Sequence, residues 1–138
     1  MQYTAIATDY DGTLAHDGKV DESTISALLR ANEAGLVTIL VTGRELADLF
    51  NTFSRTALFT VLEELGLGSE DVAGIGDAEN DQDFLEACGL SVAVANALPV
   101  VKEMADIVTQ HPRGAGVAEL IDLLLCDDRT VAGRFLNA

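Results

Sequence analysis

Several things are scarce or missing in this chain, and each absence narrows what it can be. No apolar run reaches the roughly 18 residues that a membrane span needs, and no basic-then-apolar leader pattern opens the sequence. The expectation is a cytoplasmic protein with no membrane role. Cysteine is sparse: Cys88 and Cys126 lie far from each other and from either histidine, so they read as buried reduced thiols rather than a disulfide or a zinc site. His16 and His111 are equally isolated and read as surface or loop residues. Positive charge is the largest deficit. Eight basic residues face 23 acidic ones, a net charge of −15, and such a surface repels a phosphate backbone, which excludes nucleic acid as a partner. It would repel an anionic substrate too, unless a bound cation reverses the local field. An acidic protein that handles phosphate therefore calls for a metal.

What is present describes one soluble domain. At 138 residues with 49% apolar and 22% charged positions, the chain can bury one real core and is too short for two ordinary domains. There is no internal repeat and no linker. Ala5-Ile6-Ala7 is a short apolar strand. Asp21 is placed to cap a helix in which Ile25, Leu28 and Leu29 recur at helical spacing until Gly35. Val37 to Val41 reads as a fully buried parallel strand. Residues 45–66 carry an apolar stripe from Leu46 to Leu65 without proline or glycine, fitting one long helix or two with a kink. Then follow a strand at 72–76, a short helix with Phe84 and Leu85 inward, and a strand at 90–94. Pro99 opens a further helix, Ile107-Val108 could form a fifth very short strand, and residues 116–125 make a last amphipathic helix. The core domain is expected over 1–126, with 127–138 as a loosely held tail.

Strand and helix alternate throughout, which predicts an α/β domain with a parallel sheet covered on both faces. In such sheets ligands bind beyond the carboxyl ends of the strands. Three predicted strands end in polar clusters: Asp9 with Asp11, Thr42 with Gly43, and Asp77 with Asp81. Folding would gather them at one edge. Neither acidic cluster is a calcium loop, because the required glycine and glutamate positions hold Leu14 and Val20 in one case, Gln82 and Cys88 in the other. A dinucleotide fingerprint at Gly74-x-Gly76 fails because its third glycine falls on Glu79. A turn after the strand at Asp9, and helix caps at Thr42, Asp77 and Asp81, are the plain structural alternatives.

Taken in order, these clusters resemble the haloacid dehalogenase superfamily of phosphohydrolases. Asp9-Tyr10-Asp11-Gly12-Thr13 is similar to its first motif, Val41-Thr42-Gly43-Arg44 to its second and Gly76-Asp77-Ala78-Glu79-Asn80-Asp81 to its fourth. Val92 to Ala97 and Ala105 to Thr109 are similar to the Cof-type sugar-phosphatase branch. The resemblance implies a Rossmann-like three-layer sandwich with a minimal parallel sheet of about four strands, in the order 37–41, 4–8, 72–76, 91–94. It implies a Mg²⁺-dependent phosphatase acting on a small phosphorylated metabolite. Asp9 would be the nucleophile that becomes an aspartyl-phosphate, and Asp11 the general acid and base. Thr42 and Gly43 would hold phosphate oxygens, with Asn80 also at the substrate. Asp9, Asp11 (through its carbonyl), Asp77 and Asp81 would hold Mg²⁺, a hard ion suited to oxygen.

Two departures from the family pattern stand out. The third-motif lysine falls on Ser54, with Arg55 beside it as the candidate replacement, and no lysine lies between Lys19 and Lys102. Losing a fixed cation there would cost about 2–4 kcal/mol of transition-state stabilisation. The branch also inserts a cap of about a hundred residues between the second and third motifs. Here Thr42 and Ser54 are only 12 apart, so the cap is missing. An uncapped site, with Phe50, Phe53 and Phe59 no longer covered, predicts a homo-oligomer. The alternative is an inactive relic kept for binding or assembly. A receiver-type domain is a weaker third reading, since Ala95 stands where a receiver carries its lysine.

Overall fold

The computed structural model describes residues 3–10, 12–16, 18–41 and 62–126. Among the described residues, five strands form one parallel sheet: β1 (Ala5–Asp9), β2 (Val37–Val41), β3 (Val72–Gly76), β4 (Leu90–Ala93) and β5 (Ile107–Val108). Their order is β2-β1-β3-β4-β5. The expected four-strand order is present, and Ile107-Val108 adds the fifth strand through Val92↔Ile107 and Ala93↔Val108. The helices that lie wholly within the described residues are α1 (Glu22–Glu33), α2 (Gln82–Ala87), α3 (Pro99–Met104) and α4 (Arg113–Leu125). Residues 62–65 are helical as well.

The strand order runs outward in two directions from β1 and β3. With right-handed crossovers, α1 lies on one face while α2 and α3 lie on the other, and α4 returns to pack against α1. This is the doubly wound arrangement. Its switch point falls between the carboxyl ends of β1 and β3, where such folds leave a crevice.

β1 is central, and its Ala5, Ile6 and Ala7 are fully buried. β3 is buried along its whole length. Its glycines, which weaken it as a strand in isolation, make room for neighbours: a Cβ on Gly74 would stand 2.7 Å from Cys88 Sγ and 3.1 Å from Leu85. α2 therefore seats directly on the strand, with Phe84 and Leu85 inaccessible to solvent. Val117, Leu120, Ile121 and Leu124 form the buried stripe of α4, as expected.

Three expectations need correction. In α1 the inward face is Thr24, Ala27 and Ala31, whereas Ile25 is 45% and Leu29 58% exposed. α1 meets α4 where Thr24 lies against Gly114, and so close a crossing admits only small side chains. The larger residues are turned outward. β2 is only half buried: Ile39 and Val41 point into the core, while Val37, Thr38 and Leu40 are exposed. It lies at the sheet edge, so one of its faces has no layer over it among the described residues. Cys126 is exposed, because α4 ends just before it.

Other local expectations hold. Asp21 stands at the N-cap of α1, although its side chain makes no capping bond. Gly35 ends the helix with φ +89°, a left-handed conformation natural to glycine. The Leu36 amide then donates back to the Ala31 carbonyl at 2.9 Å. His16 and His111 are exposed, and His111 Nδ1 sits 2.8 Å from Glu119. Cys88 is a free thiol whose pKa burial pushes up to about 12, so it stays protonated. No helix among the described residues is long and apolar enough to cross a membrane. The reading of 45–61 as one helix or two, the three phenylalanines and the tail lie outside the described residues.

Candidate active site

Asp9 is the last residue of β1, and Asp77 follows directly on β3. Because those strands are adjacent and parallel, both side chains emerge at the switch point. Asp81 joins them from the 3₁₀ turn Glu79–Asp81. Carboxylate oxygens of Asp9, Asp77 and Asp81 all lie within 4.8 Å of one another. A six-coordinate cation with oxygen ligands at 2.0–2.6 Å places opposite ligands about 4–5 Å apart, so the three acids fit a divalent oxygen-seeking ion.

The cluster is electrostatically loaded. Burial pushes the Asp9 pKa up to about 9, helped by a hydrogen bond with Asp77 and by the negative charges of Asp81 and Asp77. Asp81 is raised to about 6, again mainly by burial, against which the amides of Ala78 and Asp77 pull it down. Three neighbouring carboxylates are stabilised together by a cation that neutralises them.

Local structure explains why the acids hold these positions. Asp81 is 3% exposed, and its Oδ2 accepts the backbone amides of Asp77 at 3.0 Å and Ala78 at 3.1 Å. It therefore caps its own turn as well as facing the cluster. Gly76 makes that possible, since a Cβ there would stand 2.7 Å from Asp81 Oδ2. The Asp77 carbonyl accepts from the Leu98 amide at 2.9 Å, which ties the turn to the segment before α3.

Two contributors were not singled out from the sequence. Thr13 is fully buried, and its hydroxyl lies 3.3 Å from Asp9 Oδ2 and 3.2 Å from Asp77 Oδ1. With one proton to give, it bridges the two acids by donating to one or the other. Asn96 donates from Nδ2 to the Gly12 carbonyl at 2.9 Å and accepts the Arg113 amide at 2.8 Å. It pins the turn after β1 to the start of α4. Thr13 was visible as part of the opening motif. Asn96 was visible within the Val92–Ala97 stretch, but its bonding role was not, because its partners lie far away in sequence. Asn80 is exposed in its turn, with no hydrogen bond to the three acids. Asp11, Thr42, Gly43, Arg44, Ser54 and Arg55 lie outside the described residues.

Gly12 adopts φ +79°, and a Cβ there would collide with the Asp77 carboxylate. Both facts exclude a side chain. Gly12→Ala is expected to lower thermal stability by about 1–3 kcal/mol and to weaken divalent-cation binding. Calorimetric unfolding and a metal titration of the same variant would check both effects.

A parallel doubly wound sheet with three converging carboxylates at its switch point defines an α/β protein with a candidate cation site where such sheets bind ligands. The family model described as haloacid dehalogenase-like hydrolase matches residues 6–57 and 55–121, and the chain belongs to that family. Among curated proteins, it is 53% identical over 66 residues to a phosphoglycolate phosphatase of Methanothermobacter thermautotrophicus, covering 48% of this chain and 30% of that one. A phosphoglycolate phosphatase of Archaeoglobus fulgidus is 48% identical over 68 residues, covering 49% and 30%. The matched part is thus about a third of those relatives' length. Among solved structures, the 3-deoxy-D-manno-octulosonate 8-phosphate phosphatase of Yersinia pestis superposes with TM-score 0.79 and 26% identity, over 96% of this chain and 85% of that one. A chain from Legionella pneumophila described as a HAD superfamily (subfamily III A) hydrolase gives 0.77 and 27%, over 90% and 82%.

Proposed function

We propose that this chain is a Mg²⁺-dependent phosphatase that hydrolyses a small phosphomonoester. The observation that carries the reading is the convergence of Asp9, Asp77 and Asp81 within 4.8 Å at the switch point of the sheet. Asp9, the Asp11 carbonyl, Asp77 and Asp81 would hold the ion, which when bound shields the incoming phosphate's charge and keeps Asp9 ionised. In the first step an Asp9 carboxylate oxygen forms a bond to phosphorus, the bond from phosphorus to the leaving oxygen breaks, and Asp11 gives that oxygen a proton. In the second, Asp11 takes a proton from water, the water oxygen attacks phosphorus, and the bond to Asp9 breaks. Splitting hydrolysis this way replaces one very slow step by two easier ones.

Thr42 and the Gly43 amide would hold phosphate oxygens, and Asn80 would contact substrate. Arg55 would supply the cation that a lysine supplies elsewhere in the family; its planar head is not equivalent to an ammonium, so slower turnover is expected. Thr13, by bridging Asp9 and Asp77, orients the nucleophile. The two stretches matched by the family model adjoin at residues 55–57, and the Yersinia enzyme aligns over 85% of its length. Both support reading residues 1–126 as one core domain without a cap. The open site and an exposed apolar surface that includes Leu40 favour a homo-oligomer, and the acidic surface disfavours nucleic acid. The relatives' names denote phosphorylated carboxylic acids, and a small phosphorylated metabolite met in the cytoplasm is the substrate this centre would process.

The test is turnover of a generic phosphomonoester by folded protein. Hydrolysis should require added Mg²⁺ and stop with EDTA. Full activity in EDTA, or none across a broad panel of phosphorylated metabolites with Mg²⁺ present, would refute the reading.

A further inference from the structure

The three acids reach the switch point on two separate turns. One follows β1 and includes Gly12 and Thr13; the other follows β3 and ends in the 3₁₀ turn Glu79–Asp81. Each is closed on itself. In the first, the Leu14 amide donates to the Asp9 carbonyl at 3.3 Å, Ala15 to Tyr10 at 2.8 Å and Gly12 to Ala15 at 3.0 Å. In the second, the amides of Asp77 and Ala78 donate to the Asp81 carboxylate. These bonds fix the shape of each turn but not the spacing between the two, and a cation shared by ligands from both depends on that spacing. Thr13 reaches Asp9 and Asp77 across the gap, but with one proton it closes only one of the two links at a time.

The segment that follows β4 spans the same gap on a backbone that is itself held. The Ala95 amide donates to Thr109 Oγ1 at 3.2 Å, and Ala97 is buried with its amide on the Val94 carbonyl at 2.9 Å. The Leu98 amide attaches this segment to the second turn through the Asp77 carbonyl, at 2.9 Å. Asn96 attaches it to the first, with Nδ2 2.9 Å from the Gly12 carbonyl. No backbone amide of the described residues donates to that carbonyl. The partners also fix which way the Asn96 amide points. The Arg113 N–H can only donate, so Oδ1 faces it at 2.8 Å, and Nδ2 is left for a carbonyl that can only accept. Gly12 in turn lies so close to Asp77 that a Cβ would collide with its carboxylate. Asn96 therefore holds the place where the two turns touch.

We propose that Asn96 is a positioning residue of the cation site: its amide holds the turn after Asp9 against Asp77 and so sets the spacing at which Asp9, Asp77 and Asp81 meet an ion. Both of its hydrogen bonds go to backbone groups, so it acts through Gly12 rather than on the ion itself. The proposal rests on the reading of the three acids as the Mg²⁺ site of a phosphatase, and it adds a residue from outside the acidic turns to that site.

Asn96→Asp and Asn96→Ala separate this role from a merely structural one. Aspartate still accepts the Arg113 amide but has no proton for the Gly12 carbonyl. Its added negative charge would by itself strengthen Mg²⁺ binding, so weaker binding has to come from the lost donor. Calorimetric titration should show the Mg²⁺ dissociation constant raised about tenfold in both variants. In turnover of a phosphomonoester, the Mg²⁺ concentration giving half the maximal rate should rise by a similar factor, while the rate at saturating Mg²⁺ stays within about threefold. A substitution that only reduced the folded fraction would lower the saturated rate and leave the half-maximal concentration where it was. In EDTA, hydrogen exchange at the Leu14 and Ala15 amides should quicken about fivefold or more in both variants, with the Leu36 amide at the end of α1 unchanged. Unchanged exchange at Leu14 and Ala15 in Asn96→Asp overturns the proposal, as does an unchanged Mg²⁺ affinity where the unaltered protein binds the ion. If the unaltered protein binds no Mg²⁺ or turns nothing over, the phosphatase reading fails separately, and the exchange rates alone decide whether Asn96 holds the turn.

Discussion

Asp9→Asn should abolish phosphatase turnover while making the metal-free protein more stable above neutral pH. The two effects have separate causes. Asparagine keeps the shape of the side chain but cannot attack phosphorus as an anion, and loss of a covalent nucleophile costs at least about a thousandfold in kcat. The same carboxylate is a burden on the fold. Its pKa stands at about 9 because it is buried beside Asp77 and Asp81, so ionising it at high pH means placing a third negative charge among two others. Asparagine removes that charge and can still accept from Thr13. The check is a rate measurement with Mg²⁺ together with thermal unfolding in EDTA at about pH 8. A variant that retains more than about a tenth of the rate would remove Asp9 from the nucleophile's place. A variant that melts well below the parent would show that the carboxylate supports the fold.

The second large effect is on the pH dependence of stability. A carboxyl group raised in the folded state holds its proton over a range in which the unfolded chain has already released it. The folded state therefore binds more protons, and stability falls as pH rises. For Asp9 the window runs from its ordinary value of 3.8 to about 9, and for Asp81 from 3.8 to about 6. The contribution is complete below the lower limit and lost on passing the upper one. At most the slope is about 1.4 kcal/mol per pH unit for each proton, which for a domain of this size is roughly 4 °C in Tm. Mg²⁺ should oppose the trend, because it binds the ionised cluster only when folding has assembled it. Melting temperatures in EDTA should drop between about pH 5 and about pH 9, and the gap between EDTA and Mg²⁺ samples should widen with pH. A flat profile in EDTA, or a Mg²⁺ effect largest in acid, would contradict the site.

Much of this was legible along the chain because the determinants are local. A strand that ends in Asp9, a glycine run ending in Asp77, and the turn holding Asp81 are short contiguous patterns, and alternation of strand with helix implies a parallel sheet whose carboxyl ends gather such residues. The failures were also physical. Ile25 and Leu29 have the right spacing for a buried stripe, but periodicity does not show how close the neighbouring helix comes. The approach of Gly114 to Thr24 reserves the inner face for small residues. Val37 and Leu40 look like core because β-branched runs suit buried strands, yet burial depends on whether a strand is central or at the edge. The part Asn96 plays could not be read from its place in the Val92–Ala97 stretch, since its two partners are distant in sequence.

What the sequence determined by itself was the chemistry: acids, a glycine and a threonine in an order suited to a cation and a phosphoryl group, within a chain too negative to handle phosphate without that cation. The tertiary structure decided how those groups share space. Pairing β1 beside β3 brought Asp9, Asp77 and Asp81 close enough to oppose one another's ionisation, since like charges repel strongly where water is excluded. Packing α1 against α4 set Thr24 against Gly114 and reserved that crossing for small side chains. Neither result follows from spacing along the chain, because both arise between segments that only the fold brings together.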